Sequence, residues 1–431
     1  MNRSLPLTRL GSSCLALGLC AAAPLSLAQT NDNTPTIADD VPTSLQEAMS
    51  GGKVKLNVRA RAEIVDQDNL DTAQAYTVRT RLGYLTKDFG GFTGYVELED
   101  VRAADDDLFN DGPGESTAGL SRAVVADPNV TELNEAWLQY TNKELAGLKV
   151  KAGRQVIALD DQRFVGHVGW RQDNQTFDSV RAWTNLGIDG LDVTAGFIGK
   201  VNRIFGEEAD FDDTNASFVN GSFKIPEVGK LTVFGYFFDL GTESVAAPNS
   251  NNTFGVRLAG SKPLGDSGMS LAYAGSFATQ SDTGDNPVDY TAQYYAVDLG
   301  LKVPEYGTFG VGYEVLGSDD GNFGFRTPLA TLHKFNGFAD VFLVTPNDGL
   351  EDLYVYYGIP FPKEWKMKGK IVYHYFSGNE SIGDLGQELD AVFSKKLADN
   401  LTLLCKVALF DGKEANLTDR NKVTVDLTFA F

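Results

Sequence analysis

The sequence predicts an all-β fold, a transmembrane antiparallel barrel of about eighteen strands. Three observations carry this reading. Apolar and polar residues alternate with period two along most of the chain, the connections are short and long by turns, and the last strand alternates up to its terminal phenylalanine. Each strand of such a barrel offers one row to lipid and one to water, so its average composition looks soluble. The 431 residues fit that average, with 42% hydrophobic and 45 Gly. The 58 acidic against 37 basic side chains oppose nucleic-acid binding, which needs a basic stripe. Three His and no CxxC pair argue against a zinc site or a histidine-dependent hydrolase.

Residues 1–28 read as a secretory signal peptide. Arg3 and Arg9 precede an apolar core from Leu15 to Leu27, and Ser26-Leu27-Ala28 is a small-x-small cleavage site before Gln29. The core is too short for a membrane anchor and is broken by Pro24. Cleavage takes the net charge from −21 to −23 and leaves Cys405 as the single cysteine, so no internal disulfide is expected. Residues 29–52 form a periplasmic leader. Within it, Ser44-Leu45-Gln46-Glu47 is a capping-box pattern for a short helix to about Met49, stopped by Gly51-Gly52.

The barrel occupies 53–431. Val54, Leu56, Val58, Ala60, Ala62 and Ile64 alternate with Lys55, Asn57, Arg59, Arg61 and Glu63, a first strand long enough to cross a bilayer. Further strands are expected from near Tyr76, Phe92, Leu133, Leu148, Phe177, Leu191, Ala216, Leu231 and Thr253. The rest start near Met269, Tyr290, Thr308, Asp352, Trp365, Glu388, Leu401 and Lys422. Short connections, such as Lys87 to Gly90 and Pro304 to Gly307, alternate with long acidic ones, such as Ala103 to Val130, Val156 to Gln175 and Gly317 to Leu350. Short periplasmic turns and long extracellular loops are the mark of a membrane barrel. A soluble sandwich has no reason to sort its loops by end. In hydrocarbon a sheet edge is excluded, so the first strand must pair with the last. Val423, Val425, Leu427, Phe429 and Phe431 form the apolar row of that last strand, and its terminal Phe431 suits recognition by barrel assembly machinery.

Parity then assigns faces. Arg59, Arg61, Arg79 and Arg81 point inward, followed by Lys149, Lys151, Arg181, Lys200, Arg257, Lys366, Lys368, Lys370 and His374. A charge on the lipid face would cost a few kcal/mol at the midplane. Glu97, Glu99, Glu135, Glu314, Glu388 and Asp390 share the lumen, so cross-strand pairing is an alternative role for any one of these charges. The paired arginines of the first two strands form a ladder of forks suited to repeated carboxylates. Most acid clusters are expected in the outer loops. Asp105-Asp106-Asp107 and Glu207 to Asp213 lack the spacing of a dedicated calcium loop. No nucleophile elbow or phosphate loop is present, so neither catalysis nor a cofactor or metal is expected.

Several segments resemble the alginate export family of outer-membrane proteins. They are Asp127-Pro128 with Thr131 to Tyr140, Gly153-Arg154-Gln155 with Arg163 to Gly166, Gly169 to Gln172, Gln175 to Asp178, Val201 to Gly206, and Thr327 to Asp340. The resemblance implies an eighteen-stranded monomeric barrel with an arginine-lined channel for anionic polysaccharide. It implies pore roles for Arg59, Arg61, Arg79, Arg81, Arg154, Arg163, Arg171 and Arg181, with Arg154 off strict parity. Segments 155–175 and 327–345 are expected to fold inward and narrow the channel, which brings Trp170, His333, Lys334 and Asn336 to the constriction. The reading is an integral outer-membrane channel that passes anionic solutes, alginate-like or other carboxylated saccharides, by passive diffusion. Its expected partners are that solute, outer-membrane lipid and lipopolysaccharide. The alternative is a surface adhesion barrel with acidic loops and a closed pore.

Overall fold

A computed structural model describes residues 41–113, 119–380, 383–414 and 417–431. The signal peptide expected over 1–28, and the leader up to residue 40, lie outside the described residues. Ser44 caps a helix, α1 (Leu45–Ser50), its side chain accepting from the Glu47 amide at 3.2 Å. Glu47 closes the reciprocal half of the box one residue early, accepting from the Thr43 amide at 2.7 Å.

Among the described residues eighteen antiparallel strands form one sheet, each starting within four residues of its expected place, and a separate short hairpin pairs Ser318–Asp319 with Phe323–Gly324. The first half comprises β1 (Lys53–Gln67), β2 (Ala73–Leu85), β3 (Phe92–Ala103), β4 (Val130–Asn142), β5 (Leu148–Gln155), β6 (Thr176–Thr184), β7 (Leu191–Asn202), β8 (Asn215–Ile225) and β9 (Gly229–Asp239). The second comprises β10 (Asn251–Pro263), β11 (Ser270–Asp282), β12 (Thr291–Val303), β13 (Gly307–Leu316), β14 (Leu350–Ile359), β15 (Met367–Ser377), β16 (Asp384–Ala398), β17 (Leu401–Gly412) and β18 (Arg420–Ala430). Every strand pairs with its sequence neighbour, and β1 pairs with β18 from Asn57 opposite Ala430 to Gln67 opposite Arg420. The sheet is therefore closed, and no edge is left to face hydrocarbon.

Burial alternates as the sequence alternates. On β18 Val423, Val425 and Leu427 are exposed outward while Lys422, Thr424 and Asp426 are buried inward. Tyr76, Phe309, Trp365 and Tyr375 lie on the outside near strand ends, where interfacial aromatics anchor a barrel. The long connections are concentrated at one end, and two of them fold into the lumen. A parallel bridge between Val165 and Leu329 joins segments 155–175 and 327–345.

The lumen is apolar on one side, where the sequence reading expects a polar interior. Phe218 of β8 with Phe234, Tyr236 and Phe238 of β9 point inward and pack with Ile157, Val165, Phe325 and Leu329 of the folded-in loops. Phe164 lies 4.9 Å from Phe234 and 5.3 Å from Tyr294, ring to ring. Burying each such side chain contributes about 1.5–3 kcal/mol, so these loops are seated on a core of their own. The signal was present in Val233-Phe234-Gly235-Tyr236-Phe237-Phe238, which is apolar on both parities.

Candidate functional site

The inward faces of β1 and β2 carry Arg59, Arg61, Arg79 and Arg81, as parity requires. They are not an open ladder. Arg59 donates to the carbonyl of Gly169 at 3.2 Å and to that of Arg171, and Arg61 donates to the carbonyl of Trp170 at 2.6 Å. Arg79 and Arg81 both reach the carbonyl of Gln172 at 3.2 Å. Four guanidinium groups thus bind the carbonyl oxygens of four successive loop residues. Carboxylates accept hydrogen bonds from two of the four: Arg61 pairs with Asp426 at 2.7 Å and Asp127 at 3.0 Å, and Arg81 pairs with Glu99. Among the described residues Arg59 has only neutral hydrogen-bond partners, Gln172 Oε1 among them at 2.9 Å.

The second loop is held by the opposite chemistry. The amides of Phe338 and Ala339 donate to Asp390 at 3.0 Å and Glu388 at 2.7 Å, both inward on β16. Gly337 lies between Asn336 and these amides at φ +88, and a Cβ there would meet Glu388 Oε2 at 2.3 Å. Only glycine fits this approach.

The two loops meet over Trp170. Its ring stacks on His333 at 4.3 Å and 2°, with Arg61 at 4.2 Å and Lys406 at 3.6 Å from the indole centre. Lys406 Nζ lies 2.7 Å from His333 Nε2, and His333 Nδ1 lies 2.7 Å from Asp340. A carboxylate can only accept, so Nδ1 carries the proton and Nε2 is the atom that faces Lys406. Burial, partly offset by Asp340, holds His333 well below its usual range. Asp340 also accepts from Lys422 at 2.5 Å and pairs with Arg171 at 3.1 Å. Burial works against its ionisation, but the hydrogen bond from His333 and the charges of Lys422 and Arg171 keep its carboxyl well below the ordinary value.

Other expected lumen residues fall into two groups. Arg163 binds Glu314 at 2.8 Å and Asn336 at 3.1 Å, Arg171 binds Glu63 at 3.0 Å, and Arg257 binds Asp161 at 3.0 Å. Arg181 donates to Thr194 at 3.0 Å, Lys370 sits 4.1 Å over the Tyr356 ring, and Lys368 is exposed at the turn end of the same inward row. Three residues depart from expectation. Arg154 stands on the outward row opposite Ala136 and pairs with Asp178 at 2.8 Å. Lys200 is turned outward by the bulge at Gly199, opposite Asp178, and binds Asp210 at 3.1 Å and Asp212 at 2.6 Å. Lys366 ends the Lys363–Trp365 turn at φ 48, exposed before β15 begins. Glu97, Glu99, Glu314, Glu388 and Asp390 are buried in the interior beside the bases, as parity requires. Glu63, Asp127, Asp352 and Asp426 join them, so more of the acid lies inside than the expected concentration in the outer loops implies.

Sequence reasoning missed Lys406 as a site residue. The signal is a lone charge in Leu401-Thr402-Leu403-Leu404-Cys405-Lys406-Val407, which a membrane strand can only turn inward. A cavity of about 80 Å³ lies beyond the loops, between Arg257, Asp298, Lys334, Tyr354 and Lys370.

A closed eighteen-stranded barrel with inward-folded loops defines an outer-membrane channel of the porin type. The sequence profile for alginate export matches residues 52–338, and the chain belongs to that family. No functionally curated protein matches it in sequence. Solved structures with the same fold include OccAB2 of Acinetobacter baumannii, 16% identical, with a TM-score of 0.69 over 89% of this chain and 99% of the other. OccD3 (OpdP) of Pseudomonas aeruginosa is 14% identical, with a TM-score of 0.68 over 89% and 92%. OpdK of Pseudomonas aeruginosa, solved with vanillate, is 13% identical, with a TM-score of 0.67 over 88% and 98%.

Proposed function

We propose that the chain is a passive outer-membrane channel for small carboxylated solutes, sugar acids and alginate-like oligosaccharides among them. One observation carries the reading. In the lumen cavity each carboxylate is held: Asp161 by Arg257, Glu314 by Arg163, Asp352 by His374 at 2.9 Å, and Asp298 by Tyr354 and Tyr356 at 2.9 and 3.1 Å. Lys334 donates to the Asp161 carbonyl and lies over the Phe335 ring, and Lys370 lies over the Tyr356 ring, with no carboxylate within ion-pair distance of either among the described residues. A solute carboxylate is the counter-ion these two ammonium groups accept.

The alginate export family and the vanillate complex of OpdK, a barrel of the same fold, agree with a carboxylate-bearing solute. The test is the reversal potential of single channels in a salt gradient. Anion preference is expected in the wild type, with a shift toward cations in Lys334→Gln and Lys370→Gln. Cation selectivity of the wild type, or no shift in either variant, would overturn the reading.

A further inference from the structure

A second concentration of negative charge lies away from that cavity, between β3, β4 and the first folded-in loop. Glu99 of β3 stands directly opposite Glu132 of β4 in the sheet register, and one step further Glu97 stands opposite Glu135. Like charges facing each other across a strand pair are destabilising. A third carboxylate, Asp173, descends onto the first pair from the loop. One oxygen from each of Glu99, Glu132 and Asp173 lies within 4.8 Å of the others.

Asp173 is fully buried, yet among the described residues neither of its carboxylate oxygens has a hydrogen-bond partner, and Glu99 Oε1 and Asn134 Oδ1 are in the same position. Asn134 is two residues on from Glu132, at the bulge of β4. Its amide group is spent on Glu97 at 2.8 Å. The surrounding cations are already engaged: Arg81 with Glu99 and the Gln172 carbonyl, Arg79 with that same carbonyl and, at 4.0 Å, with Glu99 Oε2, and Arg154 with Asp178. A buried carboxylate without partners costs several kcal/mol unless a charge meets it. Oxygen-only donors, most of them anionic, are the donor set of a hard divalent cation. Ligand oxygens on Ca²⁺ sit at about 2.3–2.6 Å, so opposed ligands span about 5 Å and the observed spacing lies inside one coordination sphere. Half-buried Glu132 leaves an open side for water ligands and for entry.

We propose that Glu99, Glu132 and Asp173 form a Ca²⁺ site that ties the first folded-in loop to the barrel wall. The ion cancels the facing glutamates and satisfies Asp173. It also fixes the loop one residue beyond the last carbonyl that the arginines grip. The site is independent of which solute crosses the channel.

The experiment measures ⁴⁵Ca²⁺ retention by the refolded full-length barrel at neutral pH, with folding checked by heat-modifiable electrophoretic mobility. The variants are Asp173→Asn, Glu132→Gln, and the triple change of Asp105, Asp106 and Asp107 to Asn as an outer-loop control. The expected result is a tight site in the wild type and the control, weakened about tenfold or more in Asp173→Asn and Glu132→Gln. Wild-type retention no greater than that of folded Asp173→Asn, or a loss confined to the outer-loop control, would overturn the proposal.

Discussion

At the scale of single residues, the interior is governed by the pairing of buried groups. Arg61 shows the arithmetic. It meets Asp127, Asp426 and the Trp170 carbonyl with its side chain fully buried, and removing one partner of such a set typically costs about 3–5 kcal/mol. His167 gives this a pH dependence. Its Nδ1 lies 3.1 Å from Gln162 Oε1, and burial, helped by the charge of Arg81, lowers it to about 4. The unfolded imidazole binds its proton near pH 6.5, so between these values the opened loop takes up protons and the seated loop does not. Seating therefore weakens as pH falls from about 6.5 toward 4, by about 3 kcal/mol in all. Hydrogen exchange of the 162–175 amides should accelerate over that window in the wild type, and should do so much less in His167→Gln. Equal pH profiles would remove His167 from the account.

At the scale of elements, the strands were legible and the loop contacts were not. Strand starts, parity and the inward placement of Arg59, Arg61, Arg79 and Arg81 follow from a period of two, which is a local property. The partners of those arginines are main-chain oxygens more than a hundred residues from Arg59, and main-chain oxygens leave no mark in a sequence. Lys200 was misassigned because a single bulged residue, Gly199, reverses every face after it. Lys366 was misassigned because the αL residue of a turn was counted into a strand. The loops also carry an element-scale prediction. Gly337→Ala puts a Cβ against Glu388 at φ +88, which should weaken the seat of the second loop by roughly 2 kcal/mol or more. Single-channel recordings should show larger or noisier conductance than the wild type. An unchanged trace would mean that this loop does not limit the pore.

At the scale of the whole molecule, closure sets the stability of everything inside. The two ends of the chain meet in one seam, where Phe431 exchanges backbone hydrogen bonds with Leu56 at 2.8 and 3.0 Å. The Phe431 side chain is 78% exposed, so it adds little to packing. Deleting it should therefore act on assembly: less heat-modifiable, folded protein in the outer membrane, with normal refolding of purified chain in detergent. An equal folded fraction in both settings would remove that role. The charge balance also belongs to this scale. The surplus of acid is not a property of the loops alone, because carboxylates and guanidinium groups interleave through the lumen wall.

The grip of four arginines on four consecutive carbonyls has a consequence for how such a channel changes over evolutionary time. The side chains of the gripped segment are committed as well: Trp170 to His333 and Lys406, Arg171 to Glu63 and Asp340, and Gln172 to Arg59 and Thr77. A substitution there is expected to demand a matching change in the wall or in the second loop. The segment and its cradle should then drift together, while the outer loops are left to vary on their own.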